Sequence, residues 1–260
     1  MIPKLTIITI NYNNLEGLKR TVESVLNQTW QEFEYIVIDG GSNDGSAEYI
    51  ESQSEHIDYW VSEPDKGIYN AMNKGIAKAR GEYLLFLNSG DHLYSAKVLE
   101  ENYGKIADFD LIYFNIQNIG VNFSKIISYP AILRFSDLYF DILSHQATFF
   151  RKDLFGRVGL YDENLKIVSD WKFMIVALFK YHCSYLKVDE TLSTFYLDGI
   201  SSVMENREMV YKERDLVLNS DFKGYMEDIN QLLELRTTVS NLRKSKKIAW
   251  LVKWGLIQKF

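Results

Sequence analysis

Four short runs in the first 91 residues constrain this chain more than anything else in it. They are "KLTIITINYN", "FEYIVIDGGSNDGS", "IDYWVSEPDKG" and "GEYLLFLNSGD". Each is apolar through its body, without the alternation of a half-wetted sheet, and each breaks into polar residues at its carboxyl end. Strands buried on both faces belong to a parallel sheet covered by helices. Helical segments fill the gaps. "NLEGLKRTVESVLNQT" carries a stripe of Leu15, Leu18, Val22, Val25 and Leu26. "SAEYIESQSEH", with Ser46 as the expected N-cap, and "GIYNAMNKGIAKAR" follow. In open sheets of this kind, ligands bind outside the carboxyl ends of the strands. Asn11 and Tyr12, Asp39 to Asp44, Asp65 with Lys66, and Asn88 to Asp91 all fall there. Four polar clusters at one rim carry more weight than any one of them.

After Asp91 the pattern loosens. "DLIYFNIQNIG", "FSKIISYPAIL", "ATFFRKDLF" and "HCSYLKVDETLSTFYL" read as strands of a mixed sheet continuous with the first. "SDWKFMIVALFKY" reads as a helix with Ser169 or Asp170 at its N-cap, and from about Ser201 the chain is charged and mostly helical. The expected organisation is one catalytic domain over residues 1–200, in halves 1–91 and 92–200, and a helical extension over 201–260. A net charge of −6 argues against nucleic acid as the main partner. The single cysteine, Cys183, excludes an internal disulfide and a thiolate metal cluster. No G-x-G-x-x-G or Walker sequence occurs, which weakens dehydrogenase and ATPase readings. The opening "MIPKLTIITINYNN" lacks a leader pattern, so a cytoplasmic location is expected, with the inner membrane face as a possibility raised by the tail.

Taken in order, "TIITINYN", "YIVIDGGSNDGS", "SEPDKGIYNAMNKGIAKARGEYLLFLNSGD", "SHQATFFRKDLFGRVGLYDENLKIVSDWKF" and "FYLDGIS" resemble glycosyltransferase family 2. These are inverting sugar-nucleotide transferases of the GT-A fold. The resemblance covers roughly residues 3–202 and is nearer to the non-processive bacterial members that build surface polysaccharides. The Q-x-x-R-W signature of processive synthases is missing after Asp170. The resemblance implies an α/β GT-A fold, with a Rossmann-like, mostly parallel central sheet flanked by helices and a helical carboxy-terminal tail. It implies transfer of a hexose-type sugar from a UDP-sugar to a glycan or lipid-linked saccharide acceptor.

The same resemblance suggests roles. Asp91 of "NSGD" would hold Mn²⁺ or Mg²⁺, with Asn88 at the first position of the Asp-x-Asp motif but without its charge. Asn88 and Ser89 would join Asn11 and Tyr12 in binding the nucleotide, Tyr12 lying against the base. Asp39 would accept the uracil ring N–H, Asp65 would help hold the base or ribose, and Lys66 would offer charge to the diphosphate. Asp44 reads equally as a turn residue. Asp170 would take the acceptor's proton, although an anion favoured at a helix N-terminus is a weak base. Trp171 would stack on the acceptor sugar or pack in the core. His145 and Gln146 would line the donor and acceptor cleft. Asp198 and Gly199 would lie near the diphosphate, Asp198 standing where the family usually has glycine.

The tail "RKSKK" precedes "IAWLVKWGLIQKF", too short to cross a bilayer. Trp250 and Trp254 share one helix face. Residues 243–260 therefore suit an anionic membrane interface, or docking on the domain or on a second subunit. Three rivals stay open. One is a GDP-sugar donor, and one is a nucleotide-sugar-binding protein without turnover. The third is a nucleotidyltransferase, which would want a glycine-rich basic loop where "NYNNLEG" stands.

Overall fold

The computed structural model describes residues 2–197 and 206–258; Asp198 and Gly199 lie outside them. The chain divides into two compact units, Met1–Arg214 and Asp215–Phe260. The first begins with the expected alternation: β1 (Leu5–Asn11), α1 (Leu15–Leu26), β2 (Phe33–Asp39), α2 (Ser46–Ser52), β3 (Tyr59–Ser62), α3 (Ile68–Lys78) and β4 (Tyr83–Phe86). Next come β5 (His92–Leu93), α4 (Val98–Asn102), β6 (Leu111–Gly120), β7 (Phe123–Ile127) and α5 (Phe135–Phe140). Then follow β8 (Thr148–Arg151), α6 (Lys152–Val158), α7 (Ser169–Phe179), β9 (Tyr185–Tyr196) and α8 (Arg207–Asp221). The second unit carries α9 (Lys223–Lys244) and α10 (Lys246–Lys253).

Among the described residues, nine strands form one sheet in the order β3-β2-β1-β4-β8-β6-β9-β5, with β7 paired to β6. The first four run parallel. β8 lies antiparallel between β4 and β6, and β9 returns parallel to β6. β1 and β4 are buried along their whole length, which accounts for the absence of apolar–polar alternation in them. α1 turns Leu18, Thr21, Val22 and Val25 inward. Asn14 caps it, accepting the Gly17 N–H at 3.1 Å.

Two cap assignments change. α2 is preceded by Gly45 and begins at Ser46, because Asp44 accepts both the Ser46 N–H (3.1 Å) and its hydroxyl (2.6 Å). α7 is preceded by Val168, so Ser169 and Asp170 are its first two helical residues rather than its cap.

Candidate active site

In-register pairing of the parallel strands builds the site. Asn11 stands opposite Asp39, and Asp39 opposite Ser62, at the carboxyl ends of β1, β2 and β3. The β4 strand continues past its last residue, with the Ser89 N–H donating to the Ile10 carbonyl at 3.0 Å. The "NSGD" turn therefore rises beside β1. Gly90 takes φ +108°, a left-handed value that glycine adopts without strain. Thr21, fully buried on α1, fastens this turn. Its Oγ1 accepts the Gly90 N–H at 3.0 Å and lies 2.6 Å from the Asp91 carbonyl. Thr21 was missed at the sequence level; its only signal is a polar residue inside an apolar helical stripe.

Asp39 does not face an open site. It is fully buried, and each oxygen accepts two hydrogen bonds. Oδ1 takes them from Asn11 Nδ2 (2.7 Å) and Ser42 Oγ (2.6 Å), Oδ2 from the Ser42 N–H (2.9 Å) and Ser62 Oγ (2.6 Å). Burial pushes its pKa up, but the bonds from Ser42, Ser62 and Asn11 outweigh it and hold the carboxyl below its ordinary value. Asp39 thus ties three strand ends and the following loop together, and the expected direct contact with a base ring has no free acceptor behind it. The half-buried carboxylate near that place is Asp65. Its Oδ1 accepts the Gly67 N–H at 2.8 Å. Its Oδ2 lies where a side chain on Gly40 would begin, 2.5 Å from the Cβ position, beside Tyr12 Cδ2 at 3.1 Å. Tyr12 is 66% exposed, as a ring open to a planar partner must be. Lys66 is exposed, its N–H on Asn70 Oδ1. Asn11 is buried, held on Asp39.

The other side of the rim comes from a short 3-10 turn, His145–Ala147, and from α7. Gln146 Nε2 donates to Asp91 Oδ2 at 3.1 Å. His145 Nε2 lies 3.2 Å from Asn88 Nδ2, and its Nδ1 2.9 Å from Asp170 Oδ2. Tyr69 of α3, also missed from sequence, brings its hydroxyl to 3.0 Å from Asp170 Oδ1. Burial would raise the Asp170 pKa; His145 above all, then the Trp171 N–H and Tyr69, hold it below the ordinary carboxylate value. Ser89 is tied in by Asn14 Nδ2 on its carbonyl, at 3.1 Å.

Trp171 corrects the stacking expectation. It is fully buried, its Nε1–H donates to the Leu138 carbonyl at 2.7 Å, and the Arg214 guanidinium covers its ring at 4.6 Å. It packs the core, with no ring face left for a sugar.

Among the described residues, no group of three or more His, Cys, Asp or Glu side chains could hold a metal. Asp91 offers one hard carboxylate at the rim. That donor set fits a divalent cation that takes most of its ligands from substrate phosphates and water, not a closed protein cage.

Comparison with known proteins identifies the family and the fold. The family model "Glycosyl transferase family 2" matches residues 6–161. The uncharacterized glycosyltransferase Rv1514c of Mycobacterium tuberculosis is 35% identical over 209 residues, covering 78% of this chain and 79% of the relative. The crystal structure of S. aureus TarS 1–349 in complex with UDP superposes with a TM-score of 0.64 at 19% identity, over 96% of this chain and 78% of that one. Against the longer TarS chain, the match spans 40% of that chain's length. Mannosyltransferase PcManGT from Pyrobaculum calidifontis, in complex with GDP-Man and Mn²⁺, gives 0.57 at 15% identity, over 77% and 59%. At these identities the solved structures speak to the fold alone, which is GT-A-like. The family match over more than half the chain, with the relative's agreement, gives the conclusion: this chain belongs to glycosyltransferase family 2 and is a glycosyltransferase.

Proposed function

We propose that this glycosyltransferase moves a hexose-type sugar, with inversion, from a UDP-sugar to a glycan or lipid-linked saccharide acceptor in bacterial surface polysaccharide synthesis. One observation carries the reading: an open tyrosine ring and a carboxylate stand at one end of the rim, the Asp91 carboxylate held by Gln146 at its middle, and a buried His145–Asp170 pair beyond it. Tyr12 would lie against the base, and Asp65 Oδ2 would accept its ring N–H. Lys66 would meet the diphosphate as a point charge, and Ser89 and Asn88 would line its path. Asp91 would hold Mn²⁺ or Mg²⁺, whose charge offsets that developing on the departing diphosphate. Gln146 would keep the Asp91 carboxylate aimed. Asp170 supplies the negative charge behind removal of the acceptor's proton. The similarity to a UDP-bound structure supports the donor class.

A GDP-sugar is the second reading, because guanine also offers ring N–H donors to a carboxylate, and one structural neighbour was solved with GDP-Man. A thermal-shift series with UDP, GDP, CMP and dTDP, each with Mn²⁺ and with a chelator, separates them. A ligand bound by the folded state raises Tm by linkage. Metal-dependent protection by UDP, lost in Asp91→Ala, is the expected result. Protection by GDP would move the donor, and protection by none would remove the nucleotide reading.

A further inference from the structure

Resting on the glycosyl-transfer reading above, we propose that the atom taking the acceptor's proton is Nε2 of His145, with Asp170 as its positioning residue. The argument starts from hydrogen-bond valence. Asp170 Oδ2 accepts from His145 Nδ1 at 2.9 Å, and Oδ1 lies 3.0 Å from the Tyr69 hydroxyl, whose single proton also has the Ile167 carbonyl at 2.5 Å. A carboxylate offers only lone pairs, so the proton in the first contact belongs to Nδ1. The neutral imidazole then carries its lone pair on Nε2. The neighbour of Nε2 is the side-chain amide of Asn88, at 3.2 Å. Asn88 opens the turn that carries Asp91, so the lone pair points at the rim where the sugar would be transferred.

Access favours the histidine as well. The two side chains are similarly covered, 12% exposed for His145 and 9% for Asp170. Yet Asp170 lies one ring further from the "NSGD" turn. An acceptor hydroxyl reaching Oδ2 directly would have to displace His145 from a buried anion, at about 1.5–3 kcal/mol for a hydrogen bond to a charged group, and Oδ1 is covered by the Tyr69 hydroxyl. At Nε2 it need replace only the Asn88 amide, a neutral and longer contact. The charged and titratable groups around the pair are Tyr69 on α3, Tyr161 ahead of α7, Arg214 of α8, which also lies over the Trp171 ring, and Asp91, reached through Gln146.

The step balances. The acceptor oxygen bonds to the anomeric carbon while the carbon–oxygen bond to the diphosphate breaks, its electron pair leaving on the diphosphate. The acceptor's proton moves to His145 Nε2. The resulting imidazolium keeps its Nδ1–H on the Asp170 carboxylate and later returns the extra proton to water.

The tautomer is measured first, on the metal-free protein. A long-range proton–nitrogen NMR spectrum, with the His145 signals assigned by their loss in His145→Gln, should show Nδ1 protonated and Nε2 bare at neutral pH. An Nε2–H tautomer overturns the proposal whatever the substrate. The second reading uses water as acceptor: UDP release from UDP-glucose, UDP-galactose or UDP-N-acetylglucosamine with Mn²⁺. His145→Gln should lose about 100-fold in rate while UDP still raises its Tm. The acid limb of the rate profile should vanish in His145→Gln. It should move to lower pH in Asp170→Asn, where the imidazolium loses its anionic partner; a purely structural Asp170 would leave that limb in place. A His145→Gln rate within about threefold of wild type, or an unaltered acid limb, returns the base to Asp170. If UDP gives no protection to the unmodified protein, it is the donor reading that has failed, and the tautomer still tells whether the pair is built as described.

Discussion

Gly40 and Asp65 share one small volume. A methyl group on residue 40 would sit 2.5 Å from Asp65 Oδ2. The backbone of Gly40 is not left-handed, so Gly40→Ala should fold with less than about 1 kcal/mol of change. It should weaken UDP binding by a little over tenfold, about the 1.5 kcal/mol of one charged hydrogen bond. Calorimetric titration with UDP measures this; unchanged affinity would remove Asp65 from the base site. Asp39→Asn should behave in the opposite way. An amide opposite four donors leaves at least one clash, so folding stability should drop by about 2 kcal/mol. The pH dependence follows from the lowered pKa. Asp39's contribution is complete above the unfolded-chain value near 3.8 and is lost as pH falls through the lower folded-state value. Urea unfolding should find the gap between wild type and Asp39→Asn widest at neutral pH and narrowing in acid; an equal gap in both would refute it. The sequence marks both carboxylates as strand-end residues. It does not mark which one is satisfied internally, because that depends on Ser42 and Ser62 folding back onto Asp39.

Elements show the same division. The parallel half was legible because its strands are mostly apolar without alternation and each helix carries a stripe. The order of the second half was not. β8 is only four residues long, yet it enters between β4 and β6, and no local pattern specifies that pairing. α7 illustrates the limit further. Its start has no side-chain cap, and a distant carboxylate holds the segment before it. Glu213 of α8 accepts the N–H groups of Lys166 (2.7 Å), Ile167 (3.0 Å) and Val168 (3.2 Å). Those residues lead directly into Asp170. Glu213→Gln keeps the shape but loses the charge and half the acceptor capacity. It should destabilise the fold by about 1–3 kcal/mol. It should also raise amide hydrogen exchange at residues 166–171 before any other segment. Exchange unchanged there, with stability unchanged, would mean the three contacts do not hold the helix start.

At the scale of the whole molecule, charge is unevenly spread. The chain is net acidic at −6, yet Arg243, Lys244, Lys246, Lys247 and Lys253 fall in its last 18 residues, which contain no Asp or Glu. On α10 and just beyond it, Trp250, Trp254 and Leu256 are 55%, 67% and 63% exposed, and the two indole rings lie 5.9 Å apart. Among the described residues no helix is long and apolar enough to cross a membrane. An exposed apolar face flanked by lysines is the pattern of a helix lying in a lipid interface, each basic residue adding about 1 kcal/mol near an anionic surface. The protein should therefore sediment with phosphatidylglycerol vesicles at low salt and less as salt rises, and weakly with phosphatidylcholine whatever the salt. Deleting residues 243–260 should abolish sedimentation while UDP still raises Tm. Trp250→Ala with Trp254→Ala should weaken binding to both vesicle types, because insertion is apolar. Lys246→Glu with Lys247→Glu should weaken only the phosphatidylglycerol arm. Equal sedimentation of the full and shortened chains would exclude this face as the lipid contact. A change from a larger to a smaller species on deletion, without lipid, would instead assign it to a second subunit. The lipid outcome bears directly on the acceptor, since an enzyme held at an anionic surface meets a lipid-linked saccharide in two dimensions, where effective concentration replaces tight binding.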